Sequence, residues 1–177
     1  MFERLFFTAI LVFSLVTFTV AAQVPAVSET DIYLPDKNDV IAWMNQASKM
    51  SAAQQNERAD AALENVSSSG GKTPRSDFQI CLGLAYLGNA KAQRCIGYAY
   101  EKGIGVVNDM MEAYVWFEIA HKGGDKKSEP EASRTLLILN SAYPAPSEDE
   151  LERLTEEQEK KIAEYQKEVK ATAKGSR

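Results

Sequence analysis

The chain has 177 residues, of which 45% are hydrophobic and 25% charged, and its formal net charge is -5. Nucleic-acid binding needs a basic patch that displaces counterions, and neither the acidic balance nor any local run supplies one. Protein or glycan partners are therefore expected, and no nucleic acid.

At the amino terminus Arg4 precedes an uncharged run from Leu5 to Val20, and the small residues Ala21 and Ala22 lead to Gln23. This is the pattern of a signal peptide over residues 1–22. Retention as a membrane anchor is the alternative, because the run falls just short of the roughly 20 apolar residues that span a bilayer. No cysteine stands at the cleavage site, so a bacterial lipoprotein anchor is not indicated. With the leader removed, the charge stays at -5, no membrane contact is expected, and about 155 residues remain, enough for one domain with a modest core. Residues 23–35, with two prolines and no sustained period, read as an extended segment.

From 36 to 66, Val40, Ile41, Trp43, Met44, Ala47, Met50, Ala59, Ala62, Leu63 and Val66 predict one bent helix or two short ones, with the polar run Ser51–Asn56 interrupting the stripe. Trp43 either anchors a partner or covers the open end of whatever follows. Residues 67–73, including Gly70-Gly71, read as a linker. Thr73-Pro74 then suits a helix start, since threonine caps and proline lacks an amide that would be unpaired there.

Residues 74–140 carry the strongest pattern. Ala92, Ile96, Ala99 and Tyr100 mark one helical stripe that ends at Gly103, where glycine permits a left-handed residue. Gly105 allows a second unusual turn conformation. Asp109 and Glu112 form a capping-box pattern, and the helix they open bears Ala113, Val115, Trp116, Phe117, Ile119 and Ala120 before Gly123-Gly124. Ala85 and Gly88 recur 35 residues later as Ala120 and Gly123, which makes Phe78–Leu87 the second helix of a preceding, incomplete repeat. Ala92, Gly97, Ala113 and Ala120 read as small residues that let helices approach. The predicted class is all-α, a short solenoid of antiparallel helix pairs.

The residues Ala-Lys-Ala-Gln93, Ile-Gly-Tyr-Ala-Tyr100, Gly-Ile-Gly-Val106, Asp109, Glu-Ala-Tyr-Val-Trp-Phe117 and Ala120 resemble the Sel-1-like repeat family, relatives of the tetratricopeptide repeats. The resemblance covers about residues 78–139, and Leu154–Gln158 looks like the short motif that opens a last helix after such repeats. It implies an adaptor that assembles protein complexes, and many bacterial members are exported. The pattern departs from the family in having one complete repeat, with the next interrupted by Lys126–Pro130 before Glu131. About three repeats are usually needed for a stable stack, so flanking helices or a partner must cover the ends.

Further on, Tyr143-Pro-Ala-Pro146 stops a helix, and Ser147–Glu150 suits the cap of another short one. Thr155 and Gln158 form a second capping-box pattern, and Leu151, Leu154, Gln158, Ile162, Tyr165 and Val169 make the stripe of a charged amphipathic helix. The stripe is too short for a persuasive coiled coil, so packing on the last repeat is expected. Residues from Ala171 onward are expected to fray.

Cys81 and Cys95 are the only cysteines and lie seven residues either side of Gly88. A hairpin turning there brings them level, and in an oxidising compartment the expectation is a disulfide, with two buried thiols as the alternative. No metal or cofactor is expected: His121 stands alone, the cysteine spacing is not that of zinc ligands, and Gly103-Ile-Gly105 lacks the rest of a nucleotide loop. Glu156-Glu157 reads as a solvated helix start. The candidate binding residues are Arg94, Tyr98 and Glu101 of the first repeat helix, with Tyr114 and Trp116 if they are not buried. The leading expectation is an exported, periplasmic, non-enzymatic adaptor for an envelope protein assembly. A cell-wall glycan-acting enzyme or accessory factor, with a cleft between the amino-terminal helices and the repeat, and a secreted effector are the other classes.

Overall fold

A computed structural model describes residues 35–68 and 75–175, which form seven helices and no strand. The signal segment, the extended segment up to residue 34, most of the linker and the Thr73-Pro74 cap lie outside these residues. The helices are α1 (Lys37–Ala47), α2 (Ala52–Ser68), α3 (Arg75–Tyr86), α4 (Ala90–Lys102), α5 (Met110–Lys122), α6 (Ser128–Asn140) and α7 (Glu148–Gly175).

Region 36–66 is two helices, and capping explains the division. Asp36 and Asp39 form a reciprocal capping box at the start of α1. The polar run after α1 is itself a helix start: the Gln54 amide accepts the Ser51 N–H at 2.9 Å while the Ser51 hydroxyl accepts the Gln54 N–H at 3.3 Å. α2 then runs to Ser68, so Ser67 and Ser68 are helical rather than part of a linker, and both hydroxyls donate to the Glu64 carbonyl.

α2 supplies the first helix that the incomplete repeat lacked. α2 packs on α3 and α4, α3 on α4, α4 on α5, and α5 on α6, while α1 lies on α3. α1 comes so close at Gly83 that a Cβ there would stand 3.0 Å from the Trp43 backbone, and Trp43 is half-buried against the core. Between α4 and α5, Gly103 ends the helix with φ +68, and Gly105, at φ +73, sits against the Phe78 ring. Ile104 and Val106, alternating with these glycines, are buried.

The predicted capping box of α5 forms by half. The Asp109 carboxylate accepts the N–H groups of Met111 and Glu112, but the Asp109 N–H donates to the Tyr100 carbonyl at 3.1 Å instead of to Glu112. Lys126–Pro130 is not an interruption either: α6 begins at Ser128, and Pro130 falls in its first turn, where an amide has no helical partner.

Cys81 of α3 and Cys95 of α4 are disulfide-bonded, with Cα atoms 6.1 Å apart, and both are fully buried. Closing a loop of this size is worth about 3 kcal/mol in the chain-entropy account.

One continuous helix of 28 residues, about 42 Å long, replaces the short helix and separate final helix that were expected. Ser147 caps it, accepting the Glu150 N–H at 3.1 Å. The second capping box does not form, because Thr155 is in mid-helix and donates to the Leu151 carbonyl. Helical structure continues through Gly175 rather than fraying from Ala171. α7 packs chiefly on α5 of the complete repeat, as expected, and then runs on across α3 and α1, burying Leu151, Ile162, Tyr165 and Val169.

Candidate functional site

The residues predicted to bind a partner serve largely inside the molecule. α4 presents to α6 and the turn before it a row of polar contacts: Arg94 Nε to Asp125 Oδ2 at 2.5 Å, Tyr98 Oη to Glu131 Oε1 at 2.8 Å, and Arg134 Nη2 to Glu101 Oε2 at 2.6 Å. α2 and α4 make the matching row, with Asn89 Nδ2 donating to Asn56 Oδ1 at 2.9 Å and Lys91 Nζ to Asp60 Oδ2 at 2.7 Å. The partners in both rows are 31 to 33 residues apart, so side chains one repeat apart join each first helix to the next. Burial, aided by Glu131, pushes the Tyr98 phenol up to about 12, so it remains a donor. The expectation that Arg94, Tyr98 and Glu101 form a free surface is corrected: they hold repeat to repeat.

Trp116 is 2% exposed and meets Tyr86 edge to face at 5.7 Å. It belongs to the core, which removes it from the binding candidates. A broad apolar face on α5 required that some of its aromatics be interior, but periodicity did not show that α7 would cover this one.

Tyr114 is differently placed. It lines an open groove of about 470 Å³ between α5, α6 and the start of α7. Leu136 and Leu151 provide apolar wall, Asn140 an amide, and Glu118, Glu148 and Glu152 carboxylates, while Lys122 on its rim is paired with Glu159. Burial pushes the Tyr114 phenol upward, with Glu118 and Glu148 adding to the effect. Beside the groove the last repeat helix exposes Leu137 (69%) and Ile138 (45%), and Tyr143 of the following turn is fully exposed. Sequence reading passed over these residues, although a repeat stack that ends on a first helix leaves a stacking face without its next neighbour.

Among the described residues no cluster of three or more His, Cys, Asp or Glu is placed to hold a metal ion, and no helix is long and apolar enough to cross a membrane. Glu156 and Glu157 lie exposed on α7. The geometry offers a surface for association: an apolar-floored groove rimmed by acids and continuous with an uncovered helix face. No family model and no solved structure matches the chain.

Proposed function

We propose that this chain is an exported, non-enzymatic adaptor of the Sel-1-like type, which binds a protein partner of the bacterial envelope through the α6 end of its stack. The observation that carries the reading is the uncovered face of α6 with Leu137 and Ile138, next to the groove that holds Tyr114. Helical-pair arrays bury such faces on a further repeat or on a partner, and exposed apolar patches beside polar rims mark interaction sites. The disulfide supports export, since such bonds persist in oxidising compartments.

The test is photo-crosslinking from a reactive analogue at position 114 in the native cells, with mass spectrometry of the adducts and of the mature amino-terminal peptide. One reproducible envelope protein, lost with Leu137→Glu in a folded chain, is the expected result. No adduct, or adducts unaffected by Leu137→Glu, would overturn the reading, and recovery from the medium would favour the secreted-effector class.

A further inference from the structure

Further along α7, a cavity of about 150 Å³ lies between α7 and residues of α1, α3, α4 and α5. Its walls are aromatic to an unusual degree: Tyr86, Tyr100, Trp116 and Tyr165 all line it. Tyr86 stacks on Tyr165 at 5.1 Å and meets Trp116 edge to face. Gln158 fixes the Tyr86 hydroxyl with a hydrogen bond of 3.1 Å. Into this box comes the Glu112 side chain, released from its expected capping role because Asp109 bonds elsewhere. Among the described residues none donates a hydrogen bond to its carboxylate, and burial holds its pKa above the ordinary carboxylate value. Asp36 and Lys161 are the exposed members of the wall, so the mouth lies between the start of α1 and the middle of α7.

The chemistry of the walls selects the ligand. Aromatic faces attract ammonium groups, most strongly where water is excluded, and the chain's own lysines already use these rings. Lys161 Nζ lies 6.0 Å from the centroids of both Tyr86 and Tyr165, and Lys37 Nζ is 5.5 Å from that of Tyr165. Among the lining residues Glu112 and Asp36 are carboxylates and Lys161 is the one ammonium, while Lys37 outside the lining is paired with Glu168 at 2.7 Å, so the lining is net negative. A hard metal ion requires several oxygen ligands, which the rings do not offer. Size narrows the choice further, because a cavity of about 150 Å³ holds a molecule as large as benzene, too little for a sugar ring with its hydroxyls.

We propose that this cavity is a binding site for a small organic ammonium ion, a trimethylammonium group, with Tyr86, Tyr100, Trp116 and Tyr165 as its cage and Glu112 as its counter-ion. Lys161 is the built-in competitor, resting over the rings until a ligand displaces it. The site is separate from the α6 end and stands whether or not the adaptor reading does.

The test uses Trp116 as reporter. The full chain carrying Trp43→Phe is titrated with choline chloride and, at matched ionic strength, with sodium chloride. A saturable change in fluorescence specific to choline is expected, weakened at least tenfold by Glu112→Gln and tightened several-fold by Lys161→Met. Saturation-transfer NMR from the unaltered chain to the choline methyl protons, repeated with Glu112→Gln, gives the same comparison if Trp43→Phe does not fold. Co-sedimentation with phosphatidylcholine vesicles would assign the group to a lipid headgroup, and choline binding without it to a free quaternary ammonium ion. A response equal to that of sodium chloride, or one indifferent to Glu112→Gln, would overturn the proposal.

Discussion

Gly97 faces Phe117 so closely that a Cβ there would stand 2.5 Å from the ring, and Phe117 is fully buried. Gly97→Ala is therefore expected to cost about 1–3 kcal/mol, the usual range for overpacking a core, as read from the urea midpoint. An unchanged midpoint would show that the α4–α5 interface yields. Glu112 offers a second test. Its pKa is raised by burial first, with Asp109 adding and Lys161 opposing. The folded state therefore holds this proton more tightly than the unfolded state. Glu112 costs no stability well below its ordinary value of 4.5, and an increasing amount as pH rises through the folded value. Glu112→Gln is expected to raise the melting temperature at pH 7, with the gain shrinking as the pH falls through that range. A variant no more stable than the parent at pH 7 would show that the carboxylate is not desolvated. Small residues at close approaches were legible from the helical stripe, whereas the fate of Glu112 was not. Whether the Asp109 N–H turns to Glu112 or to the Tyr100 carbonyl depends on how the α4–α5 turn folds.

The polar rows between repeats make unequal contributions. Arg94 and Asp125 retain only 12% and 10% side-chain exposure, whereas Lys91 and Asp60 retain 44% and 54%. Asp125 also accepts the Lys127 N–H and the Ser128 hydroxyl at the start of α6. Asp125→Ala is accordingly expected to cost about 2–3 kcal/mol, since charged hydrogen bonds are lost and a shielded guanidinium is left unpaired. Lys91→Ala should cost less than about 1 kcal/mol, as exposed ion pairs do. Urea denaturation of both variants checks the order, and equal losses would contradict it. Helix ends were readable where the signal lies within one turn, as at Gly103, whose left-handed backbone closes α4, and at Asp109, whose carboxylate caps α5. The candidate site residues were misread because Arg94, Tyr98 and Glu101 find their partners more than thirty residues away.

At the scale of the whole molecule α7 is the strap that closes the fold. Ile162, Tyr165 and Val169 are each 7% exposed or less, they join the same core cluster as Val40, Leu82 and Tyr86, and Tyr165 stacks on Tyr86. Such side chains contribute about 1.5–3 kcal/mol apiece, and a typical domain is stable by only about 5–15 kcal/mol. A chain ending at residue 160 is expected to lose cooperative unfolding, with a broadened transition followed by circular dichroism. A sharp transition near that of the parent would mean that the repeats stand alone with the disulfide.

The sequence by itself determined the helical class, the pair α4–α5 with its glycine turn, the stripe of α7 and the level placement of Cys81 and Cys95. Each depends on periodicity or on capping within a few residues. Only the tertiary structure decided that α2 completes the first repeat and that the bridge closes. It also decided that α7 returns across α5, α3 and α1, hiding Trp116 and leaving the α6 face open. Those outcomes depend on which apolar stripe meets which, and a stripe specifies that a face must be buried without naming the element that buries it.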